Sequence, residues 1–220
     1  MTQVEPDIIR IIQGGPKGDP GINGSPGAPG ADGALSAPDA LDRLSNACET
    51  HNRRYVNNAG ITSATQIMRV MFFTCHKAMT VDRLLAVTGN TPASGTPPTT
   101  AQLALFREDP TTRDLTRVGI TTHDGTLFIA ANTEYAVPMQ ASVPLVKGDR
   151  YAIAMLIVGT GTFATFAGIA GTLAATLHRV PRLGAQRTGV ASIPSGITDA
   201  QLAALPTGNS IYFAALQVGF

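Results

Sequence analysis

The chain has 220 residues, 44% of them apolar and only 14% charged, against about 25% charged in an average soluble domain. That balance excludes a disordered chain, which needs low hydrophobicity and high net charge. Sixteen basic residues face 15 acidic ones, so no positive field drives phosphate binding and nucleic acid is not expected as a partner; two cysteines are too few for a disulfide scaffold.

The first segment, 1–14, carries no basic n-region and no long apolar run, so it does not read as a secretory signal. Ile8, Ile9, Ile11 and Ile12 stand in a segment too small to bury them. They are expected to dock to another protein or to cluster about a threefold axis, the plain alternative being a fraying tail.

Residues 15–35 are a repeat. Glycine occupies every third position without a miss, at Gly15, Gly18, Gly21, Gly24, Gly27, Gly30 and Gly33, with Pro16, Pro20, Pro26 and Pro29 between them. With glycine at roughly a tenth of residues, seven hits in one register arise by chance about once in 10⁷. Three polyproline-II chains wind together only where every third residue lacks a side chain, because that residue faces the crowded axis. Proline sets φ in advance and lowers the ordering cost. A flexible linker needs this composition but not this period. The period therefore predicts a collagen-like triple helix, a homotrimer and a rod of about 60 Å. Lys17 and Asp19 can pair between staggered chains, a contact worth under about 1 kcal/mol when exposed. So short a rod needs trimeric modules on its flanks.

Residues 36–60 are expected to supply one as a helical neck. Ser36 can cap a helix, Pro38 suits its first turn and Asp39 completes a capping box. Leu41, Leu44, Cys48, His51 and Tyr55 then follow at spacings of 3, 4, 3 and 4, a short heptad stripe with Leu41, Leu44 and Cys48 as trimer-neck residues. The alternative is a single helix packed on the next domain.

From 61 to 220 the pattern turns to strands: 67–75, 80–87, 101–107, 116–121, 127–130, 135–139, 151–158, 163–167 and 211–218. Turn signals punctuate them, including Glu108-Asp109-Pro110, Lys147-Gly148-Asp149 and Asp124-Gly125, the last suited to a tight hairpin. The expected fold class is all-β, with a C-terminal antiparallel β-sandwich, jelly-roll-like, as the head. The uncharged stretch from Tyr151 to Leu177 is long enough for a membrane span. Its glycines and threonines break it at strand length, so strands are expected and no membrane insertion.

No chemistry-bearing motif stands out. His51, His76, His123 and His178 lack metal-ligand spacing, so neither metal nor cofactor is expected. No nucleophile elbow, P-loop or dinucleotide fingerprint occurs, and Glu108, Asp109, Asp114, Asp124 and Glu134 sit mainly at turns, so no catalytic residue is assigned. Cys48 and Cys75 are expected as free, small apolar residues. The loop candidates for a ligand are Thr91–Thr100 and Asp109–Asp114, each with an ordinary solvated loop as alternative.

The repeat, the segment from Leu41 to Thr50, the run from Leu145 to Tyr151, Pro181-Arg182-Leu183-Gly184 and the stretch Gly189–Pro194 together resemble minor tail proteins of tailed bacteriophages infecting actinobacteria. The resemblance implies a trimeric, non-enzymatic virion fibre or baseplate appendage with a jelly-roll-like tip. Its expected place is the virion (tail tip or fibre), and the host cytoplasm during assembly. Partners would be a second and third copy, other tail or baseplate proteins, and a host cell-surface glycan bound through several weak contacts. Alternatives are a purely structural tail-tip or capsid-decoration fibre, a cellular collagen-like surface protein and a glycan depolymerase.

Overall fold

A computed structural model of the chain describes residues 47–50, 56–169, 182–205 and 211–218. Thirteen strands occur there: β1 (Ala47–Glu49), β2 (Asn57–Ile61), β3 (Met68–Thr74), β4 (Met79–Val87), β5 (Thr100–Glu108), β6 (Leu115–Ile120), β7 (Glu134–Leu145), β8 (Arg150–Val158), β9 (Phe166–Ile169), β10 (Gly184–Arg187), β11 (Gly196–Ile197), β12 (Ile211–Tyr212) and β13 (Ala214–Gln217). The helical content of the described residues is one 3₁₀ turn, Asp199–Gln201. The fold is thus all-β, and its antiparallel sheets fit a β-sandwich.

Three sheets form, with orders β1-β13-β4-β7, β10-β3-β8-β5-β6-β11 and β12-β9-β2. The six-stranded sheet has two buried faces because its strands alternate. Along β8, Tyr151, Ile153, Met155 and Ile157 point into the main core, shared with Leu84, Ala86, Val137, Phe166, Ala214 and Leu216 of the other sheets. Ala152, Ala154 and Leu156 point the other way, to a second core with Val70, Phe72 and Phe106. That double burial explains a strand with no polar alternation, Arg150–Val158.

The second core is closed by an irregular strap, residues 188–203. β10 and β11 lie at opposite edges of the six-stranded sheet. Five strand spacings of ~4.8 Å separate them, roughly 24 Å, which eight extended residues cover at ~3.3 Å each. The strap crosses on the outer face, buries Val190, Ile193, Ile197 and Leu202 there, and returns to pair Ala203 with Gln186. Its backbone is satisfied at fixed points: Val190 N–H donates to Gln66 O at 3.0 Å, and Arg117 N–H to Ser195 O at 2.9 Å. Arg117 Nη1 also donates to Ile193 O at 2.7 Å.

β7 is an edge strand, which is where Pro138 and Pro144 are tolerated. Its register against β4 breaks between Arg83↔Pro138 and Val81↔Val143, and in the break Met139 bridges to Thr121 beyond β6. The two larger sheets are thereby joined along one side.

Several expectations are corrected. The helical neck over 36–60 contains strands at Ala47–Glu49 and Asn57–Ile61. Cys48 is opposite Leu216 on β13 and 4% exposed in the main core, not on a trimer seam. The edge of β13 offers backbone partners and an apolar pocket, and tertiary pairing overrides a short helical spacing. The head therefore begins before Ile61, since β2 pairs with β9. Leu127–Ala130 is no strand: Phe128 has φ 61°, a left-handed turn that places its ring in the core. Asp124-Gly125 makes no two-residue hairpin; the Asp124 carboxylate accepts the Thr126 N–H at 2.8 Å, and Leu127 N–H closes the turn on Asp124 O at 3.1 Å. Ile8, Ile9, Ile11, Ile12, the repeat glycines Gly15 to Gly33, Leu41 and Leu44 lie outside the described residues.

Candidate functional site

A cleft of about 330 Å³ opens where the β5–β6 and β7–β8 turns meet, lined by Arg107, Glu108, Pro110, Arg113, Gly148, Asp149 and Arg150. Its size is that of a small-ligand pocket. Both turns are built rigidly. Asp109 Oδ1 accepts N–H groups from Thr111 and Thr112, each at 2.8 Å. Those bonds hold the Asp109 carboxyl below the usual carboxylate range. Arg113 N–H donates to Asp109 O at 2.9 Å, and this leaves Arg113 at φ 64°. A bulky residue rarely takes that conformation. On the opposite wall Gly148 has φ 90°, which a glycine adopts at little cost.

Two ion pairs cross the cleft. Arg107 Nη2 lies 2.6 Å from Asp149 Oδ2, and Arg150 Nε lies 3.3 Å from Glu108 Oε2. Both are close but poorly aimed: neither carboxylate oxygen receives a well-directed N–H, and both atoms are buried. The Glu108 side chain is 9% exposed. Its burial raises the carboxyl above the ordinary range, against the pull of Arg150 and then Arg113. Arg150 is fixed by other contacts as well. It donates to Arg182 O at 2.6 Å and sits 5.3 Å from the Phe72 ring centroid. Behind it Arg182 pairs with Asp199 at 3.2 Å, and Asp199 N–H donates to Asp114 Oδ1 at 2.9 Å.

Arg113 differs from its neighbours. Its guanidinium has no ion pair or hydrogen bond among the described residues. Three arginines against one Glu and one Asp give the lining a formal charge of +1.

Other candidates are weaker. Arg69 is 8% exposed, with Nε and Nη1 unpartnered and its guanidinium 5.9 Å from the Tyr212 ring. The void beside it is about 10 Å³, room for about one water. Cys48 and Cys75 are buried and are not joined in a disulfide, as expected. No group of metal-binding side chains occurs among the described residues. Among the described residues, Phe128, Phe166 and Tyr212 form an edge-to-face chain inside the core, with centroids 5.2 and 5.4 Å apart. No helix among the described residues is long and apolar enough to cross a membrane.

Of the two loops singled out in the sequence, Asp109–Asp114 enters the cleft through Pro110 and Arg113. Thr91–Thr100 does not; Ser94 bridges Thr162, and Gly161 packs against the Thr96 carbonyl too closely for a side chain. Arg107, Asp149 and Arg150 carried no sequence signal as site residues, being ordinary charges at strand ends. No protein-family model matches the chain, and comparison with curated protein sequences gives no match.

Proposed function

We propose that this chain is a tailed-phage virion protein: a homotrimeric minor tail protein whose collagen-like stalk projects jelly-roll-like heads onto the host envelope. The observation that carries the reading is glycine at every third position from Gly15 to Gly33. Only a residue without a side chain fits the axis of three wound chains, so the period specifies three copies. Ile8, Ile9, Ile11 and Ile12 supply the apolar surface for docking to other tail or baseplate proteins. The head adds support, because a sandwich with two buried cores is a firm platform for a surface that must hold its shape. Three heads on one stalk turn millimolar contacts into firm attachment through effective concentration.

Sedimentation of the full chain tests the trimer, and mass spectrometry of purified virions tests the location. A particle of three 22.8 kDa chains is expected, with Gly24→Ala lowering the melting temperature of its polyproline-II circular dichroism. A monomer at micromolar concentration, or absence of the chain from virions, would overturn the reading.

A further inference from the structure

We propose that Cys48 and Cys75 form a dithiol that hydrogen peroxide closes to a disulfide, locking the first described strand of the head to the six-stranded sheet. The inference concerns the head alone and does not depend on the virion reading. These are the two cysteines of the chain, and the fold brings them together from different sheets. Cys48 is the middle residue of β1, at an edge of the four-stranded sheet. Cys75 follows β3 and extends its ladder: its N–H donates to Asp149 O at 2.9 Å, and its carbonyl accepts the Gly148 N–H at 2.8 Å. Both side chains belong to the main core, where the Cys48 thiol is hydrogen-bonded to the Cys75 sulfur. The Cys75 thiol is also anchored on Lys77 O, to which it donates at 3.0 Å.

That contact makes Cys75 the nucleophile of the pair. A cysteine buried in apolar surroundings ordinarily has a raised pKa and is inert. The Cys75 thiol is instead held below the usual thiol range, chiefly by the Cys48 hydrogen bond, against the upward push of burial and of the Asp149 carboxylate. The Cys75 thiolate attacks one peroxide oxygen: an S–O bond forms, the O–O bond breaks, and the leaving hydroxide takes up the proton that the thiol gave off. The Cys48 sulfur then attacks the sulfenic sulfur; the S–S bond forms, the S–O bond breaks, and the Cys48 proton leaves with the hydroxyl as a second water. Two thiols are oxidised and one peroxide is reduced to two waters. Thr74 and His76, on either side of Cys75, are exposed. Among the described residues β1 pairs with β13 alone, through three residue pairs, so opening of that edge admits an oxidant little larger than water. Any pull from the chain before Ala47 reaches the described head at β1. With the bond closed, β1 can no longer peel from β13 without displacing Cys75 from the six-stranded sheet.

The test treats the reduced full chain with hydrogen peroxide, unfolds it, alkylates the thiols that are left and maps the peptides by mass spectrometry. A Cys48–Cys75 cross-linked peptide is expected in place of two alkylated ones. The melting temperature should rise by about 5 °C and return on addition of dithiothreitol. The Thr50 amide, which donates to Ala214 O beside β1, should exchange about tenfold more slowly after oxidation, a change that two cysteines serving only as core filling would not give. Cys48→Ala should leave Cys75 as a sulfenic acid that dimedone traps, and Cys75→Ala should leave Cys48 a thiol. Should either variant fail to fold, the peptide map and amide exchange of the wild-type chain decide. Two alkylated thiols after peroxide, over-oxidised Cys75 beside an intact Cys48 thiol, or a disulfide formed between chains instead overturns the proposal. A cross-link that leaves Thr50 exchange unchanged overturns the lock.

Discussion

The two faces of the six-stranded sheet are both buried, yet they are built from different side chains. The inner face presents Met71, Phe73, Tyr151, Ile153 and Met155 to the opposing sheets. Sheets pack about 10 Å apart, so large side chains are needed to fill the gap. The outer face is studded with Ala104, Ala152, Ala154 and Ala185. Small residues let a single irregular strand of chain lie close, and the strap then contributes its own Val190, Ile193, Ile197 and Leu202. A sheet covers a face with a regular ladder. A strap must find each backbone partner separately, as Val190 and Arg117 do.

That contrast can be broken from either side. Phe166→Ala removes the ring between Phe128 and Tyr212 at the centre of the inner core. It should cost about 4 kcal/mol and lower the urea midpoint of the whole domain in one transition. Leu202→Ala, which truncates a side chain of the strap that is only 6% exposed, should cost about 2 kcal/mol because the strap can settle into the space. Hydrogen exchange would sharpen the difference: in Leu202→Ala the amides of 190–202 should lose protection before those of β5 and β8. Equal loss across both regions would mean that the strap is no separate layer.

The smallest effect lies at the rim, where β5 leaves the outer core. Burial keeps the Glu108 carboxyl above its ordinary value of 4.5, opposed by Arg150, Arg113 and Arg182 and assisted by Asp199. Between 4.5 and the raised value the folded chain holds a proton that the unfolded chain has released. Stability contributed by Glu108 therefore falls as pH rises through that window. Glu108→Gln removes this share, so its stability should climb more steeply with pH above 4.5 than that of wild type. Denaturant midpoints across that range measure the difference, and parallel curves would contradict it.

Much of the strand order was legible in the sequence. The runs expected at 67–75, 80–87, 101–107 and 151–158 coincide closely with β3, β4, β5 and β8, because alternation and apolar runs record which faces are buried. β2, β10 and β11 left no such record: they are short, and their partners are far away in the chain. Leu127–Ala130 misled for the opposite reason, since an apolar run can also fold as a turn that drives Leu127 and Phe128 into the core. The cleft was half legible. Asp109-Pro110 and the residues to Asp114 announce a tight, polar loop, but nothing local tells that Arg113 faces Asp149 and Arg150 from another hairpin.

The amino-acid order alone determined the period of three between Gly15 and Gly33 and the all-β character of the head, because both are local rules of side-chain size and alternation. Only the tertiary structure decided that Cys48 belongs to a strand, that the six-stranded sheet is covered twice, and that Arg113 lines one cleft with Asp149 and Arg150. Those outcomes depend on which distant segments meet, and pairing between remote strands carries no signature in the neighbouring residues.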